Sequence, residues 1–160
     1  MNPIQRYDFK DIDQVLVVIS DIEMGGGGHT DDFPHSDYLK ELILSYNCAP
    51  FDQVPVTLVL NGDTFDLLKT SYLGKHPRHI TTDVALGKMT RIAAAHPQFF
   101  EAIRCFLAYP KATREVRFIV GNHDFELLFD EVQSFIRSLC GPHQENLFFD
   151  GFELNVGRVH

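Results

Sequence analysis

The chain has 160 residues, 44% of them hydrophobic, which is enough for one core and at most one domain. Its 22 acidic against 14 basic side chains give a net charge of −8, which argues against general nucleic-acid binding and suits a carboxylate-rich metal site. The first residues lack a basic segment followed by an apolar one, and no apolar run approaches membrane-spanning length. Cys48, Cys105 and Cys140 are scattered without a Cys-x-x-Cys spacing, as expected of reduced, mostly buried thiols, so the sequence predicts a cytoplasmic protein.

After a polar lead-in over residues 1–13, a continuous apolar run at 14–20 predicts a strand covered on both faces, ending in Ser20-Asp21-Ile22-Glu23. Four glycines at 25–28 follow. They allow close backbone approach to a ligand, with N–H groups able to cradle an anion, and equally suit a plain connector. His29, Asp31 and Asp32 read as a solvated part of the same loop. Ser36 is a good N-cap for a helix over 37–46, stopped by Asn47-Cys48-Ala49-Pro50. A second strand at 55–60 runs into Asn61-Gly62-Asp63-Thr64-Phe65-Asp66, with a short helix expected over 64–69.

Lys69, Lys75, His76, Arg78 and His79 form the main basic cluster of an acidic chain. It reads either as a solvated loop or as a cationic rim for a phosphate, with Lys75 and Arg78 as the substrate-binding candidates. A helical insertion at about 81–109 comes next. Thr82 caps its first helix, whose apolar stripe is Ala85, Met89, Ile92 and a structural His96, and Pro97 starts the second; the pair is expected to cover or cap a site. The third strand, 116–120, ends in Gly121-Asn122-His123-Asp124, then a helix is expected over 125–139 and a hairpin from Leu147 onward.

Three apolar strands thus end in acids or amides. In open α/β sheets ligands bind at the carboxyl ends of strands, so Asp21, Glu23, Asp63 and Asn122 reach one edge, where such a cluster repels itself unless cations fill it. In the last turn Asn122 offers a hard oxygen, His123 a proton, and Asp124 a carboxylate to orient the ring.

Asp21-Ile22-Glu23, Gly62-Asp63-Thr64-Phe65-Asp66 and Gly121-Asn122-His123-Asp124 resemble, in order, the first three motif blocks of the calcineurin-like metallophosphoesterases. Two departures stand out: Glu23 occupies a position where the family usually has His, and the later His blocks do not occur before His160. The resemblance implies an α/β fold, a metallophosphoesterase-type β-sandwich flanked by helices, here truncated to its N-terminal half. It implies a hydrolase that cleaves a phosphomonoester, phosphodiester or pyrophosphate using two divalent ions, manganese first, with iron, zinc or cobalt as alternatives. By resemblance Asp63 is shared by both ions, Asp21 and Glu23 bind the first and Asn122 the second. Asp66 supports the turn, and His123 acts on the leaving group with Asp124 beside it. A Glu in place of His at position 23 favours hard ions such as manganese or magnesium over zinc. Gly-Asp-Thr-Phe-Asp and the helical insertion look most like members that cleave the pyrophosphate of a UDP-linked acylated sugar. The expected partner is therefore a phosphorylated small molecule or nucleotide-linked substrate. The contrasting reading is a non-catalytic binding module that keeps the phosphoesterase fold.

Overall fold

A computed structural model of the chain describes residues 12–29 and 31–153. Its centre is a sheet of four parallel strands in the order β1 (Val15–Ile19), β2 (Val56–Asn61), β3 (Arg114–Ile119) and β4 (Leu147–Phe149). The register places Val17 beside Leu58, Leu58 beside Val116, and Val116 beside Leu147. Helix α1 (Ser36–Ser45) joins β1 to β2. Helices α2 (Thr82–Ala95) and α3 (Pro97–Leu107) join β2 to β3, and α4 (Asp130–Cys140) leads to β4.

Successive parallel strands that are also spatial neighbours, joined by right-handed crossovers, place every connecting helix on one face of the sheet. One hydrophobic core records this arrangement: Val56, Leu58, Leu60, Val116 and Phe118 pack with Leu39 and Ile43, Met89 and Ile92, Phe99 and Ile103, and Val132 and Ile136. Phe65 lies at its aromatic centre, stacked on Phe100 and Phe118 and edge-on to Phe99.

Several expectations change in the folded chain. No residue of β1 is buried and Val18 is 54% exposed, so this edge strand is not covered on both faces by the described residues. The one-sided crossovers are the reason. The helices at 81–109 form the β2–β3 crossover, and their Phe99, Phe100, Ile103 and Phe106 pack into the core. The first helix starts at Ser36, with His35 as an N-cap that makes no side-chain cap bond, and α2 is capped by Thr81, whose hydroxyl accepts from Val84 N–H.

No helix forms at 64–69, where the backbone bonds to neighbouring loops instead. The single helix expected over 125–139 is a 3-10 turn, Phe125–Leu128, and then α4, separated by Phe129 in an extended conformation. The strand at Leu147 runs parallel to β3, and the second arm of the hairpin expected from Leu147 onward falls in 154–160, outside the described residues. Cys140 is buried as expected, but Cys48 and Cys105 are exposed. Among the described residues no helix is long and apolar enough to cross a membrane.

Candidate metal centre

The loops leaving β1, β2 and β3 meet at the carboxyl edge of the sheet and are stitched together by main chain. Asp21 N–H donates to Gly62 O at 3.3 Å, Glu23 N–H to Asp63 O at 2.8 Å, and Asp66 N–H to Met24 O at 2.8 Å. Gly62 N–H donates to Ile119 O and Leu67 N–H to His123 O, both at 3.1 Å. To make these bonds Asp21, Glu23 and Asp63 take left-handed backbone angles, with φ of 53°, 54° and 50°. Non-glycine residues adopt this region at a cost that clusters at functional sites.

The glycines of the two motifs have a steric cause. A Cβ on Gly121 would lie 2.1 Å from Asp63 Oδ1, and one on Gly62 would lie 3.2 Å from the Gly121 Cα. The two turns therefore pack backbone to backbone. This contact lets Asp63 Oδ1 accept the His123 N–H at 2.8 Å.

Asp124 is the rivet between the same turns. Its fully buried carboxylate accepts N–H groups from Gly121 at 2.7 Å, Thr64 at 2.8 Å and Phe65 at 3.3 Å. Burial pushes its pKa above the ordinary carboxylate value against the pull of these amides. The carboxylate at the His123 ring is instead Asp66, whose Oδ1 lies 3.3 Å from Nδ1. Asp66 is itself buried and also accepts the Lys69 backbone N–H at 2.9 Å. From below, the buried pair of Lys88 and Glu126 braces this segment, with Lys88 Nζ donating to Leu67 O at 2.7 Å.

Glu23, Asp66 and His123 each bring one potential ligand atom within 4.8 Å of the others. Two carboxylates and an imidazole at that spacing are a donor set for manganese, iron or zinc. A cation already stands there as a proxy: Lys69 Nζ lies 2.7 Å from Asp32, 3.2 Å from Asp66 and 3.3 Å from Glu23. Asp32 first, then Asp66 and Glu23, hold its pKa well above the ordinary lysine value. The residues present therefore fit a bound cation.

Of the residues singled out from sequence, Glu23 joins this group directly. Asp21 is exposed and Asp63 half-buried on the adjoining loops, and neither is in the converging trio; Asn122 is exposed in the turn after β3. Asp66 and His123, expected in supporting and proton-transfer roles, stand inside it. Lys75 and Arg78 are exposed in the loop beyond Thr70, and neither enters an ion pair among the described residues. Sequence reasoning missed the inward course of Lys69 and its contact with Asp32; the i,i+3 spacing of Asp66 and Lys69 was the available signal.

The glycine loop does hold an anion, supplied by the chain. Asp31 accepts N–H groups from Gly25 at 3.1 Å, Gly27 at 2.9 Å and Phe33 at 3.2 Å. His96 Nε2 faces both Asp31 Oδ2 at 2.8 Å and Gly25 O at 3.1 Å, two acceptors, so this nitrogen carries the proton. Its Nδ1 lies 2.6 Å from the Ser36 hydroxyl, and the buried His96 ties the loop to α1 as a structural residue.

Searches of protein-family models, curated proteins and solved structures find no match to this chain. Fold and site together define an α/β protein whose parallel sheet carries a carboxylate–imidazole group at its carboxyl edge.

Proposed function

We propose that the chain is a metal-dependent phosphoesterase of the calcineurin-like type, acting on a phosphomonoester, phosphodiester or pyrophosphate. The observation that carries this reading is the convergence of Glu23, Asp66 and His123 within 4.8 Å at the carboxyl edge of a parallel sheet. Two divalent ions, manganese foremost, supply Lewis acidity and an activated water when bound. Glu23 and Asp66 would hold such an ion, and Asp21, Asp63 and Asn122 on the adjoining loops would be the further oxygen donors.

The remaining chemistry belongs to the chain. Asp66 accepts a hydrogen bond from His123 Nδ1, which fixes the ring and leaves Nε2 to deliver a proton to the leaving oxygen as the P–O bond breaks. Asp124 keeps the two turns in register beneath that ring. Lys75 and Arg78 form an exposed cationic rim for a phosphorylated or nucleotide-linked substrate, with a UDP-linked acylated sugar as the leading candidate. The sandwich belongs to the same proposal. At the β1 edge the sheet face turned away from the helices carries Leu16 and the 54% exposed Val18, an edge that a second sheet would extend over, beside Thr57 and Val59, which are already buried. A cytoplasmic setting suits the unpaired cysteines.

A second reading, a binding module that retains the fold without catalysis, is favoured by one observation: the Lys69 ammonium sits where a metal would. Hydrolysis of nitrophenyl phosphate mono- and diesters and of a UDP-sugar pyrophosphate, followed across a manganese series, separates the two. The enzyme reading expects manganese-dependent turnover that His123→Ala lowers by about 10²–10⁴-fold, less for nitrophenyl leaving groups that need no proton. Manganese binding without turnover on any of these substrates would leave the binding module standing.

A further inference from the structure

Half of the candidate centre already contains a positive charge of the chain's own. Lys69 reaches back across the turn that begins at Asp66. Its backbone N–H donates to Asp66 Oδ1 at 2.9 Å, while its ammonium contacts Asp66 Oδ2 at 3.2 Å, Glu23 Oε2 at 3.3 Å and Asp32 Oδ2 at 2.7 Å. Glu23 and Asp66 are also two of the three residues that converge as metal donors. A divalent ion held by Glu23 and Asp66 and the Lys69 ammonium would therefore draw on the same two carboxylates at separations of a few ångströms, where like charges repel strongly. Asp32 lies outside the trio and is exposed, and the Lys69 side chain is 44% exposed, so the ammonium has an outer partner and a solvated path on which to withdraw.

We propose that Lys69 is a built-in competitor for the metal: its ammonium fills the Glu23–Asp66 half of the centre until a divalent ion displaces it towards Asp32. This inference rests on the metal-centre reading above and deepens it: the half shared with Lys69 takes its ion more weakly than it would without that ammonium.

The test is a manganese titration of the full chain, by calorimetry and by the electron paramagnetic resonance signal of free Mn²⁺, on the wild type, Lys69→Met, Lys69→Gln, Lys69→Arg and the remote Lys111→Met. Thermal melts establish that each variant is folded. Losing one positive charge beside the ion should tighten binding at that half by about 10–100-fold in both neutral variants, an order-of-magnitude expectation for charges a few ångströms apart in a partly solvated site. Lys69→Arg keeps the charge and should keep the weak binding, and Lys111→Met should match the wild type. Equal or weaker manganese binding in folded Lys69→Met and Lys69→Gln than in the wild type would overturn the competition while leaving the metal centre intact. No manganese binding in any variant would overturn the metal-centre reading, and the competition with it.

Discussion

Asp124 lies in the motif that ends β3, where a catalytic carboxylate was expected, yet its geometry is that of a structural rivet. Replacing it with Ala leaves three N–H groups, those of Gly121, Thr64 and Phe65, without their acceptor. Hydrogen bonds to a charged group contribute about 1.5–3 kcal/mol each, so the two short ones alone give a gross loss of roughly 3–6 kcal/mol. The lower end applies, because burial pushes the carboxyl above its ordinary pKa and so offsets part of what the amides contribute. Through this group, the folded chain takes up a proton more readily than the unfolded chain. The group's contribution is therefore most favourable below the ordinary value of 3.8 and declines as pH rises through the folded pKa. At neutral pH the expected cost of Asp124→Ala is about 3 kcal/mol, or a fall in Tm of roughly 6–12 °C for a chain of this size. Urea and thermal unfolding followed by circular dichroism measure it. An unchanged midpoint, together with loss of whatever phosphate-ester turnover the wild type shows, would refute the rivet and return Asp124 to the proposed catalytic role.

Other variants probe the remaining contacts. Asp31→Asn should weaken the glycine loop and flatten the acid limb of the stability curve. Burial works against the Asp31 charge, but the amides of Gly25, Phe33 and Gly27 with His96 outweigh it and lower its pKa. Its stabilisation is thus present above the ordinary 3.8 and lost as pH falls through the lower folded value, which urea midpoints taken from pH 7 downwards will report. Gly121→Ala should unfold the junction of the turns or strongly lower Tm, since its Cβ would meet Asp63 Oδ1 at 2.1 Å; a melt within a degree or two of wild type would show that the turns can separate freely. In native protein a thiol reagent should modify Cys48 and Cys105 but leave Cys140, whose thiol burial raises to about 12, until denaturant is added; mass spectrometry of the labelled peptides decides.

What the sequence determined by itself is local. Apolar, β-branched runs marked the cores of β1, β2 and β3, and acids or amides at their ends marked the edge where chemistry collects. Pro97 marked the start of α3, because a proline that cannot donate is tolerated in a first turn. The sequence likewise placed His96 on a buried stripe, without its partners.

Tertiary structure decided which groups meet. Asp66 and His123 are 57 positions apart, Asp31 and His96 are 65 apart, and the amides of Thr64 and Phe65 reach Asp124 across about as much chain. These meetings depend on the parallel register of the strands and on left-handed turns at three residues that are not glycine, so no periodicity announces them. Arg114 makes the same point. It lies before the strand expected at 116–120, yet it opens β3, is 1% exposed, and its guanidinium donates to the carbonyls of Tyr46, Phe51 and Val54. Only the packing of β3 beside the α1–β2 connection brings those three acceptors to one buried cation, just as only the meeting of three loops brings Lys69 to the carboxylates of Glu23 and Asp66.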